Sequence, residues 1–373
     1  MSAFTRTDTS ILGRWWWTID RWTLAAVAVL LACGVLLVLA ASPPVAERLR
    51  LDPYHLAWRQ IAFIPLACAV LAGVSLLPPR AVRRLAVIVF ALALLGVSAT
   101  FFVGEEIKGA RRWIDLGPVW IQPSEFIKPS FAVVAAWAFA QHRELGRPEG
   151  RMVAIGLFVL VAGLLILQPD IGMACVLTAA WFAQFLVAGL ALSWAAALSV
   201  GALGSMLGAY LLLPHVSNRI DRFLDPGSGD SFQVDSSLQA FMNGGVLGRG
   251  PGEGTIKEVL PDAHADFIFA VAGEEFGLIA CLAILFLFAL VVLRGLLHAL
   301  QETSLYVMIA LTGLVVQFGL QAAVHMGSSL RLIPAKGMTL PFISYGGSSM
   351  LAMALAIGMV LALTRRRVGG EPL

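Results

Sequence analysis

Six ionisable residues inside or at the edges of long apolar runs, where a charge is costly, are candidates for chemistry. One Asp, Lys or Arg at the centre of a membrane helix costs about 2.5–3.5 kcal/mol. Such residues are therefore expected to pair with one another, to cap a helix or to bind a ligand. They are Glu125, Lys128, Asp170, Asp266, Glu274 and Glu275.

Asp266 has the surroundings that best suit catalysis. It lies where a long connection enters an apolar run, and Phe267, Ile268 and Phe269 follow it directly. A carboxylate that is partly removed from water is a more useful general base, because desolvation disfavours its charged form. We therefore predict that Asp266 is a general base. The alternative is that its side chain caps the helix that follows.

The remaining charges have both structural and functional interpretations. Glu125 and Lys128 are three residues apart, so they share a helix face and are predicted to pair, as a structural ion pair or within a ligand site. Asp170 stands at a predicted helix start, which favours an N-cap. Glu274 and Glu275 point about 100° apart on a helix, so at most one is expected to face a given cavity.

Two predicted outer connections carry cations among aromatic or small residues. The first holds Lys108, Arg111, Arg112 and Trp113. Cations beside a Trp suit a phosphate together with a sugar or apolar group, and an interfacial anchor is the alternative. The last connection holds Lys336 among glycines, which permit close backbone approach or helix packing. All four lysines of the chain are on or near this side, which suggests an anionic ligand there.

The sequence lacks the motifs of several common kinds of chemistry. There is no GxxxxGK[ST] phosphate loop and no Asp-x-Asp pair, so neither nucleotide hydrolysis by that route nor a metal-bound nucleotide-sugar is indicated. A sugar transfer would need another leaving group, such as a lipid pyrophosphate. The net charge of +3 gives no indication of a nucleic-acid partner. The four cysteines form no CxxC pair, so no disulfide framework or metal site is predicted.

Composition indicates that lipid covers most of this protein's surface. Of the 373 residues, 59% are hydrophobic and 13% charged, against about 25% charged in soluble domains. About 20 apolar residues cross a bilayer as a helix. We predict an all-α, polytopic membrane protein with about ten transmembrane helices, at 22–42, 57–78, 83–103, 123–141, 152–168, 170–189, 192–213, 264–293, 304–327 and 340–364.

The short connections indicate the orientation. Arginines cluster in the N-terminal tail, after the second, fourth and eighth spans, and at the C-terminus, all on one side, which is then cytoplasmic. This predicts one integral-membrane domain over 1–373, with cytoplasmic tails at 1–21 and 365–373. The long connection 214–263, between spans seven and eight, is predicted to be extracytoplasmic and functional because of its length.

Six ordered segments resemble the SEDS family (shape, elongation, division and sporulation). They are KGARRW at 108–113, QPSEFIK at 122–128, QPDIG at 168–172, PDAHADFIF at 261–269, GEEFG at 273–277 and PFISYGGSS at 341–349. The resemblance covers essentially the whole span region. The run KGMTLPFIS at 336–344 is more like the division branch than the elongation branch, RodA.

The resemblance implies a peptidoglycan glycosyltransferase that polymerises lipid II at the bacterial inner membrane, at the division site. It makes Asp266 the essential acidic residue and Trp113 an important one. The expected substrate-binding residues are Lys108, Arg111, Arg112, Trp113, Glu125, Lys128, Gln233, His264, Lys336 and Ser344. No metal ligand or certain cofactor is implied, although a divalent cation, Mg or Mn, is possible.

Two positions depart from the family pattern. The long connection usually carries Tyr-Gln-x-x-Gln-Ser, where this chain reads FQVDSS at 232–237, so the role of the second Gln does not transfer to Ser236. His325 stands where the family often has Asn.

The implied partners are lipid II, membrane lipids, a class B penicillin-binding protein transpeptidase (FtsI-like) and other divisome proteins. The alternatives to a division-type polymerase are a lipid II flippase, an elongation-type (RodA-like) polymerase and a non-catalytic scaffold. A flippase predicts alternating access, and many transporters contain internal repeats, whereas no repeat is visible in this sequence. A scaffold predicts that Asp266 is dispensable.

Overall fold

The computed structural model describes residues 10–107, 109–117, 119–145, 148–189, 232–334 and 337–365, with isolated residues between 193 and 221. Helices dominate these ranges. They are α1 (Ile11–Thr18), α2 (Arg21–Arg48), α3 (His55–Ser75), α4 (Pro79–Val103), α5 (Pro123–Leu145), α6 (Pro148–Leu167), α7 (Ile171–Val187), α8 (Phe232–Gly244), α9 (Ile256–Val259), α10 (Ile268–Gln301), α11 (Leu305–Ser329) and α12 (Gly347–Thr364).

The prediction of a multi-pass helical membrane protein is confirmed. Seven of the described helices are long and apolar enough to cross a bilayer: α2, α3, α4, α6, α10, α11 and α12. Two more coincide with predicted spans, namely α5, which carries the Glu125 and Lys128 charges, and α7, which is a shorter apolar helix. The predicted span 192–213 lies mostly outside the described residues.

Several predicted boundaries were wrong. The eighth span does not begin at 264, because α10 starts at Ile268 and continues to Gln301. The last does not begin at 340, because 340–346 forms a non-helical turn before α12. Within the connection 214–263, for which no secondary structure was predicted, the described residues form α8 and α9. In each case the conformation depends on backbone contacts, which the apolar periodicity of the sequence does not reveal.

The all-α fold class is confirmed, and the connection between α4 and α5 adds a small sheet that was not predicted. This segment forms a three-stranded antiparallel sheet in the order β1 (Glu105–Ile107), β2 (Ala110–Asp115) and β3 (Trp120–Ile121). Strand pairing satisfies the backbone of a connection that lies outside the helices. The pairing also places Trp113 opposite Glu105.

Helices α5, α11 and α12 form the centre of the bundle. In the apolar windows of α11 and α12, 67% and 83% of residues are buried, against 22–39% in the other candidate spans. Most residues of α5 between Ser124 and Ala140 are buried as well. The outer helices expose Leu, Val and Phe side chains, as expected for surfaces that face lipid.

One ion pair joins the N-terminal segment to α10. Arg294 donates from Nε to Asp20 Oδ2 at 2.9 Å and from Nη2 to Oδ1 at 2.7 Å. Burial raises the pKa of Asp20, but hydrogen bonds from Arg294 and Thr23 outweigh it and the pKa is lowered overall. A lowered pKa means that the stabilisation is present at neutral pH and is lost as the pH falls through that pKa.

Helix α10 is broken at Gly277, whose φ of 75° and ψ of −173° lie in a region that is essentially restricted to glycine. The next two amides cannot bond within the helix. Leu278 N donates instead to Gly245 O at 3.0 Å, and Ile279 N donates to Val246 O at 3.3 Å. The turn after α8 thus replaces part of the α10 hydrogen-bond ladder.

The same turn also satisfies the carbonyls that the break leaves free. Arg249 N donates to Glu274 O at 2.9 Å, and Gly250 N donates to Glu275 O at 3.0 Å. These four bonds satisfy backbone groups that the break would otherwise leave without a partner, as buried N–H and C=O groups require. The connection is therefore attached rigidly to the start of α10.

Gly277→Ala is predicted to destabilise the protein by at least about 2 kcal/mol, because the residue would adopt a glycine-only conformation and its Cβ would overlap backbone atoms of the 246–248 turn. Thermal unfolding of the purified protein measures this effect. Gly156→Ala is the matched control, because nothing lies within 4 Å of its added Cβ. Equal unfolding temperatures for the two variants would contradict the prediction.

Candidate functional site

Asp266 lies in the turn that connects α9 to α10. The N-cap position of α10 is Phe267, so Asp266 precedes the cap and does not occupy it. Asp266 N donates to Asp262 O at 2.9 Å, and Asp262 adopts a left-handed conformation with φ of 52°. The backbone is thereby held in a tight turn. The carboxylate belongs to a partly exposed residue that comes just before the buried first turns of α10.

The turn before α12 lies directly against this carboxylate. A Cβ added to Gly337 would be 3.0 Å from Asp266 Oδ2 and 3.5 Å from Oδ1. The absence of a side chain at Gly337 therefore allows the chain to approach Asp266 closely. Two segments about 70 residues apart in the sequence meet at the predicted base.

His264 and Ser344, both predicted from the resemblance, lie at this junction. Ser344 Oγ donates to Ala265 O at 2.7 Å, and Tyr345 N donates to His264 O at 3.0 Å. The rings of His264 and Tyr345 lie 5.0 Å apart between centroids. These contacts hold the two residues before Asp266 in place, so they orient its backbone.

The predicted pair of Glu125 and Lys128 is confirmed as an ion pair. Lys128 Nζ is 2.9 Å from Glu125 Oε2, and the side chains are 0% and 5% exposed, respectively. Lys128 also donates to Gln321 Oε1 at 2.6 Å, and Gln321 Nε2 donates to Thr339 O at 3.0 Å. Through Gln321, the pair is thus connected to Thr339, which lies two residues after Gly337. Substrate binding by Glu125 and Lys128 stays a prediction.

Arg112 bonds to the connection between α6 and α7. It donates to Pro169 O at 2.6 Å and to Gln168 O at 3.2 Å, and it lies 3.6 Å from Asp170 Oδ2. The predicted N-cap at Asp170 is confirmed, since its side chain accepts a hydrogen bond from Met173 N at 3.4 Å. Arg112 therefore joins the sheet to the helical bundle.

The other predicted cations are placed differently. Arg111 is 3.6 Å from Glu106, and both side chains are exposed, at 51% and 61%. Lys108 and Lys336 lie outside the described residues. Gln233 is exposed in the first turn of α8. Their substrate-binding roles, like that of Trp113 in β2, remain predictions.

Glu274 and Glu275 both have structural partners. Glu274 accepts from Ile256 N at 3.0 Å, while Glu275 accepts from Gly252 N at 2.9 Å and pairs with the buried Lys257. Both side chains reach the same 249–257 segment, since a Cβ added to Gly254 would be 3.0 Å from Glu274 Oε2 and 3.1 Å from Glu275 Oε1. The expectation that at most one of the two would face a given side was therefore wrong, and together they hold this segment. Across the described ranges, no group of three or more His, Cys, Asp or Glu is arranged to hold a metal ion.

Sequence reasoning missed Gln60, a buried residue of α3. Its Nε2 donates to Ser344 O at 3.1 Å, and its Oε1 accepts from Gly346 N at 3.2 Å. The side-chain amide of Gln60 thus bonds to the backbone on both sides of Tyr345. The only signal in the sequence is an uncharged polar residue within an apolar run.

The chain matches a family model described as "Cell cycle protein", which covers FtsW, RodA and SpoVE, over residues 21–368. The chain belongs to this family. It is 43% identical over 368 residues to the "Probable peptidoglycan glycosyltransferase FtsW" of Caulobacter vibrioides, which covers 98% of this chain and 94% of that relative. The protein of the same name from Coxiella burnetii is 34% identical, and the match covers 93% of this chain and 96% of that relative.

Solved structures support the same family. A chain in a peptidoglycan synthase complex, described as coordinating polymerization and crosslinking, matches with a TM-score of 0.77 and 30% identity, covering 93% of this chain and 97% of that one. The rod shape determining protein RodA of Thermus thermophilus matches with a TM-score of 0.68 and 27% identity, covering 94% and 97%. The SEDS resemblance of the motifs is therefore confirmed.

Lys128→Met is predicted to destabilise this SEDS protein by about 3–5 kcal/mol, because the Glu125 carboxylate would stay buried without its counter-ion. Adding Glu125→Gln to the same chain removes that charge, so the double variant should be more stable than Lys128→Met alone. Thermal unfolding of the wild type, both single variants and the double variant gives the coupling energy. Purely additive effects would contradict a direct pair.

Proposed function

We propose that this chain polymerises lipid II into glycan strands during cell division, as a peptidoglycan glycosyltransferase. Its FtsW relatives carry that activity in their names, at up to 43% identity over 98% of this chain. The observation that carries the proposal is the junction at Asp266. One half-exposed carboxylate lies where two family segments meet, and Gly337 leaves space beside it.

The proposed reaction is an inverting glycosyl transfer between two lipid-linked saccharides. The acceptor's sugar hydroxyl attacks the anomeric carbon of the donor and forms the new C–O bond. Asp266 removes the hydroxyl proton, and the bond to the lipid pyrophosphate breaks with both electrons leaving on the phosphate oxygen. The proton ends on the Asp266 carboxyl group.

The leaving pyrophosphate needs positive charge nearby, because negative charge accumulates on it in the transition state. Lys108, Arg111, Arg112 and Lys336 are the cations proposed for this role. Of these four cations, Arg111 and Arg112 lie in the part of the chain that the structure describes, and Arg111 is the more exposed of the two. Arg112 already bonds to the carbonyls of Gln168 and Pro169 and lies near Asp170. Arg112 is therefore better suited to hold the loop in place than to follow the leaving group.

The proposed site faces the outer side of the bacterial inner membrane. The arginine-rich connections, including the one that contains Arg294, mark the opposite side as cytoplasmic. The tails 1–21 and 365–373 are then cytoplasmic, and 214–263 is extracytoplasmic within a single domain. Lipid II would reach the site laterally, with its tail between or against the helices.

Asp266→Asn is expected to abolish polymerisation of purified labelled lipid II while leaving folding and lipid II binding largely intact, because it keeps the size of the side chain but cannot accept the proton. Asp262→Asn is the matched control in the same turn, and Asn tolerates its left-handed backbone. Substantial polymer formation by folded Asp266→Asn protein would exclude the general-base role. Equal losses in the two variants would indicate a general effect on the turn.

We propose a class B penicillin-binding protein, FtsI-like, as the cross-linking partner, together with other divisome proteins. Such transpeptidases use a Ser-x-x-Lys motif. The residues three positions before the four lysines here are Glu105, Glu125, Gly254 and Ile333, so this chain has no such motif. A similar chain is part of a complex that couples polymerization to crosslinking, which supports the proposal.

Co-purification with such a transpeptidase is expected to give a stable complex that polymerises lipid II faster than this chain alone. Docking near the 232–260 segment would favour the active conformation without adding new chemistry. Polymer yield with and without the partner measures the effect. Full activity of the chain alone, with no stable complex, would exclude an obligate activator.

A further inference from the structure

Arg59 lies beside the Asp266 junction but was not part of any sequence motif considered above. It is the residue before Gln60 on α3, and Gln60 bonds to Ser344 O and Gly346 N on either side of Tyr345. These two bonds hold the N-terminal part of α3 against the turn before α12. A side chain at position 59 is therefore held close to this turn.

The guanidinium of Arg59 has no acidic partner and no hydrogen bond among the residues that the structure describes, although the residue is half-buried. A partly desolvated cation without a counter-charge is unfavourable, so an anion is expected to bind there. Burial raises the pKa of Tyr345, and the nearby positive charge of Arg59 opposes this rise.

Other buried cations near the site have internal partners. Lys128 pairs with Glu125, Lys257 pairs with Glu275, and Arg112 bonds to backbone carbonyls and lies near Asp170. Each of these charges is thus neutralised within the protein. Arg59 differs because its charge remains available for a ligand.

An apolar strip runs along α3 from the turn that carries Arg59. Trp58, Ala62 and Leu66 are spaced four residues apart, so they lie on one helix face, and all three are exposed. Trp58 and Leu66 are 65% and 51% exposed. A cation at the end of such a strip fits a molecule that carries a phosphate on a long apolar chain.

We propose that Arg59 binds a phosphate of the polyprenyl-pyrophosphate substrate, whose lipid chain lies along the exposed face of α3. The planar guanidinium suits bidentate contact with phosphate oxygens. This inference rests on the proposed function, since it assigns a residue to the binding of that substrate. A phospholipid headgroup shares the same chemistry, and the experiment separates the two sources.

The test compares Arg59→Gln, Arg59→Lys and Arg50→Gln in the full-length protein. Arg50 is the matched control, because it is exposed near the adjoining end of α2 and loses the same charge. We expect Arg59→Gln to raise the KM for lipid II about tenfold with a smaller change in kcat, and Arg59→Lys to recover part of this loss. Arg50→Gln should stay within about twofold of the wild type.

A second arm measures binding of fluorescent lipid II and of phosphatidylglycerol to detergent-purified wild type and Arg59→Gln. Weaker lipid II binding by a variant with unchanged thermal unfolding supports the proposal. Unchanged lipid II binding and KM overturn it, and loss of phosphatidylglycerol binding alone assigns Arg59 to a phospholipid. If the wild type makes no polymer, the proposed polymerase function fails, while the lipid II binding comparison still decides the role of Arg59.

Discussion

Buried backbone N–H and C=O groups need hydrogen-bond partners, so a helix that is broken inside this protein must obtain its hydrogen bonds from another segment. Helix α10 is broken at Gly277, and the 245–250 turn supplies both the acceptors and the donors that the break requires. This exchange attaches the turn after α8 to the first half of α10. Because Asp266 lies immediately before that half-helix, the position of the predicted base depends on the exchange.

Charge burial organises the site in a similar way. Glu274 and Glu275 hold the 249–257 segment, in which Lys257 pairs with Glu275. Glu125 and Lys128 connect through Gln321 to the turn before α12. Each carboxylate is bonded to amides or to a cation, as buried charges require. Several residues that would suggest a binding site by type are therefore parts of a frame that positions the two segments around Asp266.

The site itself is formed by backbone approach as much as by side chains. A Cβ at position 337 would lie 3.0 Å from the Asp266 carboxylate, so the glycine there allows the close approach. Ser344 and Tyr345 bond to the carbonyls of the two residues before Asp266. Gln60 then fixes the same turn from α3. A carboxylate held in this way has a defined direction, which general-base catalysis requires, because the acceptor proton must lie within hydrogen-bond reach.

The sequence alone determined the features that depend on local spacing. Apolar length predicted the spans, the three-residue offset predicted the pairing of Glu125 with Lys128, and the helix start predicted the cap at Asp170, because each effect acts within one or two helical turns. Motif order was sufficient to recognise the family. Only the tertiary structure decided the sheet at 105–121, the break at Gly277 and the contacts of Gly337, Gln60 and Arg112. In the sheet the paired residues are three to eight positions apart, but nothing in the apolar periodicity indicates their pairing. The other features depend on partners tens to hundreds of residues away, which the packing of the helices brings together.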